Sequence, residues 1–118
     1  MTYKEKAQDI YNKLGSGQLL EAFDQYYADN VVMEEPTGKR EGKPACRDYE
    51  VNFLNSIQEF HNLDVKSVTS DEDNAITTIE SAMEVTFKDG NRANMEQVAV
   101  QKWEGDQIVH ERFYYNAG

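Results

Sequence analysis

Apolar residues recur at two spacings along the chain, and the change of spacing separates a helical first half from a strand-rich second half. Near the amino terminus they return every three or four residues, which is typical of one face of a helix. The first stripe is Tyr3, Ala7, Ile10, Tyr11 and Leu14, and the second is Leu19, Leu20, Phe23, Tyr26 and Tyr27. Residues 15–17 (GSG) interrupt the pattern, so it predicts a hairpin of two helices, the second ending near Asp29 and Asn30.

A short strand and a third helix follow this hairpin. Residues 31–33 (VVM) are rich in β-branched side chains and run towards Pro36, which favours a strand that ends in a turn. Gly38 and Gly42 then indicate a loop, and Pro44 suits the first turn of a helix over residues 44–57. The apolar stripe of that helix is Tyr49, Phe53, Leu54 and Ile57.

The rest of the chain has the alternation and turn signals of strands. Four strands are predicted, at residues 61–68, 75–88, 93–103 and 107–115, with Asp89-Gly90 as the strongest hairpin signal between them. Several of these strands exceed the usual five or six residues, so we expect the sheet to curl. The sequence therefore predicts an α+β fold, in which three N-terminal helices cover the concave side of a curved antiparallel sheet and enclose a pocket.

Composition narrows the function classes. The chain has 118 residues, with 12 basic against 22 acidic side chains and a net charge of −10, which argues against nucleic-acid partners. No apolar run is long enough for a membrane span or a signal peptide, and Cys46 is the only cysteine, so we expect a cytoplasmic protein. His61 and His110 have no close-spaced ligand partner, and we expect neither a metal nor another cofactor.

Several segments together resemble the SnoaL-like branch of the nuclear-transport-factor-two-like superfamily, which also contains the steroid isomerases. They are residues 26–36 (YYADNVVMEEP), the Gly42 start of the third helix, residues 87–90 (FKDG), 97–103 (QVAVQKW) and 108–115 (IVHERFYY). The resemblance spans nearly the whole chain and implies one domain over residues 1–118. It implies a cone-shaped fold with a pocket between helices and sheet, and a homodimer.

The resemblance also implies candidate catalytic residues. In steroid isomerases an acidic residue directly before a proline shuttles the proton, and Glu35 before Pro36 matches it. Glu34 remains an alternative, because neighbours on a strand point to opposite sides. Tyr11 matches the tyrosine that donates to the enolate oxygen. The second donor of those enzymes, an aspartic acid, falls on Ala99 here when the register is counted back from Trp103.

Strand alternation and the same resemblance predict the pocket wall, although the inward face of the 75–88 strand stays open. The predicted lining residues are Met33, Phe53, Ile57, Met95, Gln97, Ala99, Trp103, Glu111, Phe113 and Tyr115. Four basic residues near the predicted entrance, Lys39, Arg40, Lys43 and Arg47, form either an attractive site for an anionic substrate or a solvated helix start.

Two functions follow as hypotheses. The first is a pocket for a small apolar carbonyl compound, with isomerase-type or cyclase-type proton transfer by Glu35 and polarisation by Tyr11. The second is a non-catalytic module for ligand binding or dimerisation, which the alanine at position 99 favours. The position of the Glu35 carboxyl distinguishes them, since a solvent-facing Glu35 would favour the binding module.

Overall fold

The computed structural model describes residues 1–117 and confirms the predicted α+β fold, with three helices on the concave side of one curved sheet. The helices are α1 (Tyr3–Gly15), α2 (Leu19–Tyr26) and α3 (Lys43–Ser56). The strands are β1 (Tyr27–Glu35), β2 (Gly38–Glu41), β3 (Ile57–Asp71), β4 (Ile76–Phe87), β5 (Arg92–Glu104) and β6 (Gln107–Tyr114).

Two of the helices begin at sequence features that satisfy or constrain their first turn. Thr2 caps α1 by accepting a hydrogen bond from the Glu5 backbone N–H, and the Glu5 side chain accepts one from the Thr2 N–H in return. Before α3, Gly42 has a φ of 89°, which favours glycine, and Pro44 lies in the first turn. The directions of α1 and α3 over the sheet are therefore set locally.

The sheet is mostly antiparallel, with strand order β2-β1-β6-β5-β4-β3. The pairing of β1 with β6 is parallel, and it joins the amino-terminal β1–β2 hairpin to the β3–β6 meander. Register shifts occur at three places along β3 where it pairs with β4. Such bulges bend a strand and increase its twist, so they help the long strands curl beneath the helices.

Element boundaries differ from the sequence prediction in three places. β1 begins at Tyr27, directly after α2, rather than beyond Asn30. The segment predicted as a loop contains β2, because residues 36–37 make a tight turn that pairs Glu35 with Gly38. β3 extends at both ends of the predicted 61–68 strand, since β4 offers a partner along its whole length.

The packed core around Trp103 lies beneath the start of α1 and the end of α2. The Trp103 ring is 2% exposed and lies 5.6 Å from the Tyr3 ring and 5.9 Å from the Tyr26 ring. The Glu72 carboxylate, in the β3–β4 turn, accepts hydrogen bonds from the Tyr3 and Lys4 backbone N–H groups at 2.9 and 3.1 Å. α1 is thus fixed at its amino end. Within residues 1–117, no helix combines the length and apolar character needed to cross a membrane.

Candidate functional site

A cavity of about 110 Å³ lies between the helices and the concave face of the sheet. Every helix and every strand except β3 contributes to its wall. Most of that wall is apolar, and these residues are Ile10, Leu14, Leu19, Ala22, Phe23, Phe53, Met83, Met95 and Phe113. The cavity is of the same order as an engineered apolar cavity of roughly 150 Å³ that holds benzene, so its size suits a molecule with about one ring.

The remaining wall is polar and rich in ionisable groups. Three carboxyl groups, three phenols, one amide and one guanidinium face this side, and they are Glu35, Glu50, Glu111, Tyr11, Tyr27, Tyr49, Gln97 and Arg40. The cavity is therefore amphipathic, with acidic groups outnumbering the basic one on its polar side. Such a wall fits a ligand that is mainly apolar and has one polar end.

Glu35 lies at the cavity end of β1 and is held from two directions. Its side chain is 10% exposed, and Arg40 Nη2 lies 2.8 Å from Glu35 Oε2. Arg40 reaches it because the two residues are diagonal neighbours on one face of the β1–β2 hairpin, where Glu35 pairs with Gly38. The Tyr115 hydroxyl donates to Glu35 Oε1 at 3.3 Å. Glu35 Oε2 is fully buried, and its charge is balanced by Arg40, although no donor within residues 1–117 is aligned with it for a hydrogen bond.

Glu34 points to the other side of the strand, as alternation requires. Its Oε2 lies 3.2 Å from His110 Nε2, and it borders a shallow surface depression together with Lys39 and Arg112. Of the two neighbouring glutamates, Glu35 is the one that lines the cavity.

Glu111 belongs to a buried hydrogen-bond network that crosses three strands. Thr77, Gln101 and Glu111 are paired directly across β4, β5 and β6. The Trp103 indole N–H donates to Thr77 Oγ1, which donates to Gln101 Oε1, and Gln101 Nε2 donates to Glu111 Oε2 at 2.7 Å. The Tyr27 hydroxyl donates to Glu111 Oε1 at 2.5 Å. Burial raises the Glu111 pKa to about 7, although both donors act to lower it.

Glu50 has a different environment, although it borders the same cavity. It lies on α3, one turn before Phe53, and no hydrogen bond is formed by its side chain within residues 1–117. Burial raises its pKa to about 7, and the negative charges of Glu111 and Glu35 add to that shift, whereas Arg40 opposes it. Glu50 is therefore a partly buried carboxyl group that changes charge near neutral pH and has no fixed partner.

The phenols on the polar wall are neutral hydrogen-bond donors. Burial, followed by the charge of Glu111, raises the pKa of Tyr11 and of Tyr27 well above the ordinary value. Burial and the charge of Glu35 raise the pKa of Tyr49 to about 12, and the Arg40 guanidinium carbon lies 3.5 Å from the centre of the Tyr49 ring. These hydroxyl groups keep their protons at physiological pH.

The structure brings together both predicted catalytic residues and about half of the predicted wall. Tyr11, Glu35, Phe53, Met95, Gln97, Glu111 and Phe113 all line the cavity. On β4, whose inward face the sequence left open, Thr77, Ile79, Ser81 and Val85 are buried and Met83 reaches the cavity. The odd-numbered residues of β4 from Thr77 to Val85 therefore face inward.

Five residues predicted to line the pocket lie elsewhere. Met33 and Trp103 are 1% and 2% exposed and fill the packed core, where other side chains separate them from the cavity. Ala99 is fully buried between its sheet neighbours Ile79 and Phe113, and it does not line the cavity.

The other two belong to the edges of the site. Ile57 is at the start of β3, paired with Phe87, where the chain leaves α3. Tyr115 follows the end of β6 and contacts the cavity only through its hydrogen bond to Glu35.

The basic cluster predicted near the entrance is largely neutralised by nearby acceptors. Arg40 is paired with Glu35, and Arg47 Nε lies 2.8 Å from Asp24. Lys39 lies 3.3 Å from Glu41, and Lys43 donates to the Asp24 backbone carbonyl. One nearly buried ion pair, two exposed ion pairs and one backbone hydrogen bond therefore account for these four basic residues without an anionic substrate.

Sequence reasoning did not place four polar residues on the cavity wall: Tyr27, Arg40, Tyr49 and Glu50. Glu50 had a detectable signal, because Cys46, Glu50 and Phe53 have the i, i+4, i+7 spacing of one helix face. A charged residue inside such a face is unusual. Arg40 had no such signal, since its segment read as a loop before the β1–β2 hairpin was known.

Comparisons with known proteins agree with this fold. A candidate SnoaL-like polyketide cyclase from Mesorhizobium loti has 28% sequence identity and a TM-score of 0.80, covering 98% of this chain and 100% of its own. A candidate isomerase from Bacillus subtilis has 21% identity and a TM-score of 0.82, covering 98% and 90%. A candidate polyketide cyclase from Pseudomonas putida has 14% identity and a TM-score of 0.83, covering 99% and 93%. No curated protein has a sequence that matches this chain significantly.

The family assignment comes from the sequence itself. The pattern of the SnoaL-like domain matches residues 7–111, a segment that begins within α1, ends within β6 and contains the three cavity carboxyl groups. The chain therefore belongs to the SnoaL-like domain family.

Proposed function

We propose that this protein binds a small, largely apolar carbonyl compound and transfers a proton at the carbon next to the carbonyl group. One observation carries the proposal: a single cavity of about one-ring size brings the Glu35 carboxyl and the Tyr11 phenol to the same polar wall. The apolar wall supports binding of the ring, and the polar wall supports the chemistry. The descriptions of two similar proteins, as a candidate polyketide cyclase and a candidate isomerase, name reactions of this class.

The proposed reaction has two steps and no net proton change. The Glu35 carboxylate accepts a proton from the carbon next to the carbonyl group, and the electrons of the broken C–H bond move to the carbonyl oxygen to give an enolate. Tyr11 donates a hydrogen bond to that oxygen. Glu35 then returns the proton to a carbon of the same molecule, which regenerates the carboxylate and gives either the starting ketone or its isomer.

Glu35 suits the role of proton acceptor for two reasons. Arg40 offsets the cost of burying its charge, and the Glu35 carboxyl group lines the cavity. Tyr11 suits the role of donor because its raised pKa keeps the hydroxyl protonated while the enolate forms.

A Glu35→Gln variant tests this mechanism. Cyclohexanone in deuterium oxide exchanges its α-protons, and cyclohex-3-en-1-one becomes a conjugated ketone whose ultraviolet absorbance rises. We expect Glu35→Gln to lower both catalysed rates by about 10²- to 10⁴-fold, which is typical when a general base is lost. Magnetic resonance measures the exchange, and absorbance measures the isomerisation.

The matched control is Glu34→Gln, because Glu34 is the adjacent glutamate and faces away from the cavity. It should keep both rates. Equal rates in Glu35→Gln and the unmodified protein would remove Glu35 from the mechanism. Binding of cyclohexanone without exchange would favour the non-catalytic binding module instead. The homodimer that the family resemblance implies stays a prediction, and the sedimentation mass of the protein measures it.

A further inference from the structure

The position that matches the second enolate donor of the steroid isomerases holds no polar group in this chain. Ala99 has that position, and its methyl group is buried between Ile79 and Phe113. An enolate formed in the cavity would have the Tyr11 hydroxyl but no donor at this position of β5. Losing one preorganised donor typically lowers a rate by about 10²- to 10³-fold.

Two other carboxyl groups face the cavity, and they differ in their free hydrogen-bonding capacity. Glu111 is 1% exposed, and each of its oxygens already accepts a hydrogen bond, from Tyr27 and from Gln101. Glu111 therefore uses both of its oxygens to accept hydrogen bonds from the protein itself rather than from a ligand. Glu50 lines the cavity from α3, and its side chain makes no hydrogen bond within residues 1–117. Glu50 is therefore the carboxyl group whose oxygens are available to a ligand.

We propose that Glu50, in its neutral acid form, donates a hydrogen bond to the carbonyl oxygen of the substrate and is a further catalytic residue. The inference rests on the proposed function, since it concerns the same cavity and the same enolate. It assigns the second donor to α3 rather than to β5. The proton of Glu50 stays on its own oxygen throughout, so Glu35 remains the group that exchanges a proton with carbon.

The charges around Glu50 support the acid form. The groups that interact electrostatically with it come from four other elements and from its own helix: Tyr11 on α1, Tyr27 and Glu35 on β1, Arg40 on β2, Glu111 on β6 and Cys46 on α3. Arg40 is the single cation among them, and it is already paired with Glu35. Burial and the two negative charges keep the Glu50 pKa at about 7, so much of this residue is protonated at neutral pH.

The inference restricts the substrate class as well. A neutral carbonyl oxygen can accept a hydrogen bond from both Tyr11 and protonated Glu50. An anionic oxygen at the same place adds a negative charge beside Glu35 and Glu111, and Arg40 is already paired with Glu35, so its binding at a pH above the Glu50 pKa requires Glu50 to take up a proton. We therefore expect neutral ketones or enones to bind more readily than carboxylic acids with their oxygen at Glu50.

Pentafluorophenol provides a test that does not depend on turnover. It has one ring, it is ionised throughout the neutral range, and its negative oxygen resembles that of an enolate. Because Glu50 is mostly ionised at pH 8, binding of this anion to the acid form requires uptake of a proton. Calorimetry in two buffers of different ionisation enthalpy measures that uptake, and fluorine magnetic resonance measures the affinity.

We expect Glu50→Gln to take up about one proton fewer than the unmodified protein at pH 8, because an amide donates without titrating. Glu34→Gln, on the outer side of β1, should keep the full uptake. A second variant, Glu50→Ala, should slow cyclohexanone exchange by about 10²-fold, because it removes the donor altogether. Circular dichroism checks that both Glu50 variants are folded.

The outcomes separate this inference from the proposed function. Suppose that the unmodified protein does not catalyse cyclohexanone exchange, but that Glu50→Gln takes up one proton fewer than the unmodified protein on binding pentafluorophenol. The proposed function then fails, and the role of Glu50 in binding an enolate-like oxygen stands. If exchange is catalysed and Glu50→Gln keeps the full proton uptake, the inference fails alone. Absence of pentafluorophenol binding to the unmodified protein also overturns the inference.

Discussion

The concave face of the sheet has two halves that are built from the same strands but filled differently. Along β5, Ala99, Gln101 and Trp103 are at most 2% exposed and lie in a solid core. Gln97 and Met95, one and two alternations before Ala99 on the same face, border the cavity. The closed half contains an indole and a polar network whose members are hydrogen-bonded to one another, whereas the open half contains thioether and phenyl groups and the Glu50 carboxyl group, which has no hydrogen-bond partner within residues 1–117. A continuous strand face therefore provides both stability and a site.

The difference lies in what covers the face. Over the closed half, Tyr3 and Tyr26 pack directly on the Trp103 ring. Over the open half, α1 and α3 contribute Tyr11, Leu14, Phe53 and Glu50, whose side chains surround a void instead of meeting across it. Glu111 lies at the boundary, because it ends the polar network of the closed half and faces the cavity.

The largest expected effect is on the closed half. Trp103→Ala removes a fully packed indole and the hydrogen bond to Thr77, and we expect it to lower the free energy of unfolding by about 3–5 kcal/mol. Met95→Ala provides the comparison on the open half, where the side chain already borders empty space, and we expect a loss below about 2 kcal/mol. Urea denaturation measures both values.

The milder Trp103→Phe variant keeps the comparison useful if Trp103→Ala does not fold. It retains a ring but loses the indole N–H, and it should still cost more than Met95→Ala. If the two positions have equal costs, the inner face is uniformly packed and the division into two halves is wrong.

The raised pKa of the boundary residue Glu111 predicts that the stability of the protein depends on pH. Its pKa is raised from 4.5 to about 7 on folding, so the folded protein binds more protons than the unfolded chain between these values. Stability from this group is present below pH 4.5 and is lost as the pH rises through 7. The loss is about 3 kcal/mol when one pKa unit is taken as about 1.4 kcal/mol.

Glu111→Gln should therefore remove that part of the decline when urea denaturation is repeated from pH 5 to pH 8. Glu80→Gln, at an exposed position on the outer face of β4, should keep the decline of the unmodified protein. Parallel pH profiles for Glu111→Gln and the unmodified protein would show that Glu111 ionises at the same pH in the folded and unfolded states.

Most of the fold could be predicted because its elements have clear local patterns. The stripe from Ala7 to Leu14 and the alternation from Thr77 to Val85 each fix which side of an element is buried. β2 could not be predicted, since GKRE has no apolar alternation and becomes a strand only by pairing with β1. Tertiary pairing, rather than propensity, decides such a short polar edge strand.

The candidate site was less predictable, for two physical reasons. Alternation places Trp103 and Glu111 on the inward side correctly, but it does not show where the helices leave a void. The polar partners come from outside the strand patterns, since Arg40 reaches Glu35 diagonally across a hairpin and Glu50 arrives from α3. Glu35 and Tyr11 were found through family resemblance, and their catalytic roles stay predictions.

The smallest expected effect tests whether the hydrogen-bond network of the closed half positions Glu111, the residue at its boundary with the cavity. Thr77→Val keeps the shape of a fully buried side chain but leaves the Trp103 N–H without an acceptor and Gln101 Oε1 without a donor. We expect a loss of about 2 kcal/mol in the free energy of unfolding, because an unsatisfied buried polar group costs about 1–3 kcal/mol. Thr78→Val, the next residue and on the outer face, breaks no side-chain hydrogen bond and should cost much less. Urea denaturation of both variants measures the difference. Equal costs would mean that the hydrogen bonds of Thr77 contribute no more than a partly buried outer-face threonine does, and that Glu111 is positioned by packing and by Tyr27.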